Sequence, residues 1–128
     1  MSTRCQIGFY KTDDAPLYKW DALIYRHSDG YPNTEHGVLA TLMPILADFA
    51  EHRGLSDTEY AAAWVVAKLK DDYLNIGISR ELHGDIEYFY AVTPNLLKVY
   101  EAQRDGGDGW YGFNSLRHLK TYSVAIPA

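Results

Sequence analysis

Ser56-Asp57-Thr58-Glu59-Tyr60-Ala61-Ala62-Ala63-Trp64-Val65-Val66-Ala67-Lys68-Leu69 decides the fold class, because no other stretch reads so plainly as one kind of element. The Ser-x-x-Glu spacing of Ser56 and Glu59 is that of a capping box, in which two side chains satisfy free N–H groups of a first helical turn. The alanine-rich run behind it predicts a helix over about residues 57–71. Three consecutive alanines beside Trp64 imply close approach to a sheet or to another helix.

Upstream, Val38, Leu39, Leu42, Ile45, Leu46, Phe49 and Ala50 recur at helical spacing, and Gly54 is placed to end that helix. Pro44 lies inside this pattern, so it either kinks one helix or opens the main helix after a short first turn.

On both sides of the helical pair the period falls to two. Residues 4–10 read as an edge or second-row strand. Residues 18–27 carry Trp20, Ala22 and Ile24 on one face and Leu23 and Tyr25 on the other, forming a hairpin with the first strand across Lys11–Pro16. Asn75–Ser79 is a short strand. Asp85–Val92 is a central one, with Ile86, Tyr88, Tyr90 and Val92 opposite Phe89 and Ala91. Thr93-Pro94-Asn95 turns the chain into Leu96–Glu101. Asp105–Gly109 reads as a linker or lid, and Trp110, Tyr111 and Phe113 as a cover for the core or a pocket. Asn114–Ile126 reads as a short helix and then a strand. The expectation is an α+β domain over residues 1–128: an antiparallel sheet of about five to six strands with two consecutive helices, in the order β-β-α-α-β-β-β. One sheet face is left open, and tyrosine-rich strands line it or form a dimer.

Composition narrows the function classes. Twelve basic against 17 acidic residues leave a net charge of −5, which disfavours a nucleic acid polymer as partner because such binding neutralises phosphates. Cys5 has no second cysteine to pair with, and its place in the alternating Cys5, Ile7, Phe9 run makes it a small core residue. The polar Met1–Gln6 start lacks the look of a signal peptide, and no stretch approaches the ~20 apolar residues of a membrane span. A soluble protein in a reducing cytoplasm is therefore expected. Eleven tyrosines, 3 tryptophans and 4 phenylalanines suit half-buried sheet faces, interfaces or ligand pockets.

Two clusters are dense in hydrogen-bonding side chains. Tyr25-Arg26-His27-Ser28-Asp29-Gly30-Tyr31-Pro32 leaves a strand, turns, and enters a helix. Arg26 is suited to a phosphate or carboxylate, His27 to a hydrogen bond or proton, and Tyr31 to stacking on a base. The competing reading is a well-built turn. Arg80-Glu81-Leu82-His83-Gly84-Asp85 repeats the His-x-Asp spacing, and Tyr88 follows it. The two His-x-Asp pairs would make a metal site only by meeting at one sheet edge; histidines in polar turns are the plainer reading. No nucleophile-elbow, Walker, dinucleotide or zinc motif is present, so no cofactor and no catalytic residue is assigned.

The octapeptide Tyr25–Pro32, with Gly84-Asp85-Ile86-Glu87-Tyr88 downstream, resembles a signature of small uncharacterised proteins from prokaryotes and their viruses. That resemblance implies no activity and no site residue.

The leading expectation is a non-catalytic, oligomeric binder of a small anionic, nucleotide-like ligand, held by Arg26, His27, Asp29, Tyr31, Arg80, His83, Asp85 and Tyr88. In a viral setting it would sequester a host immune signal. The rivals are an interaction module docking through an aromatic surface, and a metal-dependent phosphoesterase.

Overall fold

Every period-two segment within the described residues becomes a strand, and both 3.6-period segments become helices. The computed structural model describes residues 3–32, 37–72, 74–102 and 116–124. The elements run β1 (Cys5–Phe9), β2 (Ala22–Arg26), α1 (Val38–His52), α2 (Thr58–Lys68), a 3-10 turn (Lys70–Asp72), β3 (Ile76–Ile78), β4 (Tyr88–Val92), β5 (Leu96–Ala102) and β6 (Leu116–Ser123). This is the α+β class and element order expected, with β6 as the terminal element. The tail is strand from Leu116, where a short helix was expected, because β6 pairs with β5 along its whole length. Asp105–Gly109 and Trp110–Phe113 lie outside the described residues.

The six strands stand in the order β3-β2-β1-β4-β5-β6. Four neighbouring pairs are antiparallel, but β1 and β4 are parallel, so the sheet is mixed. Short turns force antiparallel pairing only between consecutive strands. β4 instead reaches β1 through the long connection of residues 79–87, which carries the chain past β2. β1 is therefore central, buried along its entire length, and not the edge or second-row strand its alternation suggested.

Leu42, Leu46 and Phe49 of α1 and Ala61, Ala62 and Val65 of α2 share one core with Cys5, Ile7, Phe9, Ile24, Tyr90 and Val92. The other sheet face is not open. Tyr10, Leu23, Ile86, Phe89 and Ala91 lie there beneath Leu17, Trp20 and Leu82, which come from the β1–β2 loop and the β3–β4 connection. Asp13 pins that loop: its carboxylate accepts from Thr93 Oγ1 (2.6 Å), Asn95 N (3.0 Å) and Asn95 Nδ2 (2.8 Å). The bonds from the Asn95 side chain, then from Thr93, hold its carboxyl below the ordinary range.

α1 runs unbroken with Pro44 inside it, and Gly54 just beyond it takes the left-handed conformation (φ 85°) expected of a helix terminator. The capping box does not form. α2 starts one residue later, at Thr58, and Asp57 at its N-cap makes no capping bond. At this end of α2, Asp57 accepts from Arg53 Nε (2.5 Å), and Thr58 Oγ1 donates to Asp21 (2.6 Å). Among the described residues no helix is long and apolar enough to cross a membrane.

The β3–β4 connection is fastened by one buried amide. Gln6 Nε2 donates to the Glu81 carbonyl (3.0 Å), and Gln6 Oε1 accepts from the His83 N–H (2.8 Å), with the side chain fully buried. Gln6→Ala leaves both backbone groups unpaired and is expected to cost about 2–4 kcal/mol of unfolding free energy in urea titrations. A loss below about 1 kcal/mol would show that the connection holds without it.

Candidate functional site

β2 ends by sending alternate side chains to opposite faces, and that alternation divides the first cluster. Arg26 pairs across from Cys5 and so shares the helix-side face. It is buried, its Nε donates to the Ser28 carbonyl (3.0 Å), and its guanidinium meets Asp72 (3.4 Å) in the 3-10 turn after α2. These contacts tie β2 to the end of the helical layer and engage Arg26 within the fold.

The rest of the octapeptide is shaped by close packing. Asp29 is exposed and takes a left-handed backbone (φ 59°). Gly30 follows, with its N–H on the Thr3 carbonyl (2.8 Å) and its carbonyl accepting from Tyr90 Oη (2.6 Å). A Cβ on Gly30 would stand 2.8 Å from the Cys5 Cβ and 2.8 Å from the Thr3 oxygen, so no other residue fits. Ser28 N and Oγ bond to Asn75 Oδ1 (2.6 and 3.0 Å). Tyr31 is half-buried and its carbonyl receives the Val38 N–H (2.9 Å) that opens α1. Burial pushes the Cys5 thiol up to about 12, so it stays protonated and inert at neutral pH.

On the opposite face a genuine convergence appears. Tyr25 stacks on His83 (centroids 4.5 Å apart) and donates through its hydroxyl to Asp85 Oδ2 (3.0 Å). Arg4 Nε lies 3.3 Å from the same oxygen and 3.4 Å from His27 Nδ1. His83 Nδ1 stands 4.0 Å from Asp85 Oδ1. Burial, then the bond to Asp85, raises the Tyr25 hydroxyl above its ordinary value, which keeps it a donor. Of the eight residues singled out from sequence, His27, His83 and Asp85 thus meet. Arg26 and Tyr88 lie on the helix-side face, where both flank Cys5 in one row. Arg80 is exposed and makes no ion pair or hydrogen bond among the described residues. Asp29 and Tyr31 join none of the Tyr25 contacts. Arg4 and Tyr25 also belong to the group: Tyr25 heads the polar octapeptide but was not among the eight, and nothing in the sequence pointed to Arg4. Among the described residues no three His, Cys, Asp or Glu side chains are grouped to hold a metal ion, so the two His-x-Asp pairs do not build a metal site.

A separate concavity lies on the helical layer. A groove of about 620 Å³ opens between the outer sides of α1 and α2, walled by Phe49, His52, Arg53, Tyr60, Trp64 and Ala67. Arg53 stacks on the Tyr60 ring (3.9 Å), Lys68 lies over Trp64 (5.1 Å), and Trp64 packs edge-on to Phe49 (5.6 Å). Ala67 also lines a second groove of about 340 Å³ that runs past Val66 and Lys70 to β3, so the two form one surface. Sequence reading missed this site, because Tyr60 and Trp64 fit a core helix equally well.

Comparison with known protein families, curated proteins and solved structures gives no match.

The two arginines of the original clusters should separate in stability measurements. Arg26→Ala is expected to cost about 2 kcal/mol through its lost backbone bond and buried stem, whereas Arg80→Ala should change stability by less than about 0.5 kcal/mol. Equal effects in chemical denaturation would contradict this assignment.

Proposed function

We propose that this chain is a non-catalytic interaction module that docks a protein partner through the outer face of α2 and the adjoining edge of β3. One observation carries the reading: α2 is apolar on two sides. Ala61, Ala62 and Val65 are buried against the core, while Tyr60, Ala63 and Ala67 are exposed on the outside. A helix that is apolar all round is ordinarily a buried helix. The exposure continues beyond α2, for Leu74 is 85 % and Ile78 74 % accessible beside the second groove. Contiguous apolar surface of this kind, walled by aromatic and arginine side chains, has the composition of a protein–protein contact. Photo-crosslinking tests it. A photoreactive residue replacing Ala67 should give a polypeptide adduct in cells expressing the chain, and one replacing Lys120 on β6 should not. Absence of any adduct at position 67 would overturn the docking reading.

A second reading keeps the small anionic ligand but moves it to the Tyr25 face, where Arg4 and two exposed imidazoles gather at one sheet end. It ranks second because Asp85 already takes the Arg4 charge, so an anion must displace a carboxylate. A panel of linear and cyclic nucleotides should raise the melting temperature of the wild-type chain and not of Arg4→Ala. A panel without any shift would eliminate this reading.

A further inference from the structure

We infer that the partner seated on the α2 face is a second copy of this chain, packed with its α2 antiparallel about a two-fold axis. The inference rests on the docking reading and adds the identity of the occupant.

Three features of the surface are self-complementary. The first is charge. Glu59 lines the first groove at the N-terminal end of α2, and Lys70 lines the second just past the C-terminal end. An antiparallel copy sets each Glu59 beside Lys70 of the other, satisfying both ends at once. A two-fold contact is isologous, so every favourable pair occurs twice. The second is size. Between these charged ends the outer side of α2 carries Ala63 and Ala67, both exposed and small. Their spacing puts them on one helix face, and small side chains let helix axes approach to about 8 Å. In the antiparallel arrangement Ala63 of one copy lies against Ala67 of the other.

The third feature is a projection with a matching recess. Tyr60 is 54 % exposed at the end of α2 that carries Glu59. The 340 Å³ groove lined by Lys70, Ile76, Gly77 and Ile78 lies at the opposite end. The same two-fold axis that pairs Glu59 with Lys70 brings Tyr60 of each copy to that groove in the other. Gly77 helps keep the recess open, since no atom lies within 4 Å of where its Cβ would be. Ile78 is then covered by an aromatic ring rather than by water.

Sedimentation equilibrium on the full chain, at concentrations up to about 100 µM, is the test. The wild type should be a dimer. Glu59→Lys and Lys70→Glu should each weaken dimerisation at least about fivefold, and the double variant carrying both should return close to wild type. Ala67→Glu should be monomeric with an unchanged far-ultraviolet circular dichroism spectrum. Since that substitution risks the fold, the charge-reversal pair carries the decision. A dimer whose two charge reversals add rather than cancel would overturn the antiparallel pairing. A wild type that stays monomeric, with position 67 still crosslinking a different polypeptide, would overturn self-association and leave the docking face standing. A monomer with no adduct at position 67 would remove both.

Discussion

The Gln6 side chain is the constraint on which the rest of the architecture depends. β1 and β4 lie side by side and parallel, so the chain between β3 and β4 has to travel over the sheet instead of turning back at its end. A connection laid across a sheet face buries backbone N–H and C=O groups, which must find partners. Gln6 supplies one donor and one acceptor from the centre of β1, and both bond to that connection, at Glu81 and His83. An apolar residue at position 6 would leave the crossing backbone unsatisfied. With the crossing fixed, Ile86 enters the core opposite the helices, and His83 comes down on Tyr25.

How much of this was legible in the sequence follows from which interactions are local. The helices, the β1–β2 hairpin and the β4–β5 turn are each specified by residues a few positions apart, and all appear. Where the reading failed, a distant residue intervened. Ser56 and Glu59 have capping-box spacing, but α2 begins at Thr58, whose hydroxyl is engaged by Asp21 from the β1–β2 loop. β1 alternates like a half-exposed strand, yet Gln6 and Gly8 face a second covered layer, so polarity there marks a hydrogen bond and a tight fit rather than solvent. Nothing local marks the role of Asp13, because Thr93 and Asn95, its partners, are about eighty positions away.

The candidate site shows the same division at finer scale. Tyr25–Pro32 is dense in polar groups, which suggested ligand chemistry. Most of that density is spent on the fold. Arg26 ties β2 to Asp72, Ser28 holds Asn75, Gly30 makes room for Cys5, and its carbonyl receives Tyr90. A specific octapeptide can therefore be demanding because of its backbone path alone. His27 does join His83 and Asp85, but through Arg4 and through the β3–β4 crossing, neither of which sequence spacing reveals.

Once the octapeptide is absorbed by the fold, the remaining surplus in this chain is apolar rather than polar. Folding a single copy accounts for Ala61, Ala62 and Val65 on the inner side of α2, and gives no reason for Tyr60, Ala63 and Ala67 on its outer side. Nor does it explain Leu74 and Ile78 standing in water beside an unpaired strand edge. A short edge strand such as β3, only three residues long, limits indiscriminate strand addition. The neighbouring helix carries the apolar surface instead, where, in the proposed association, side-chain shape and the charges at its two ends would discriminate between partners. That division, with hydrogen-bonding side chains holding the crossing and apolar ones turned outward, is the physical basis on which association is proposed for this architecture.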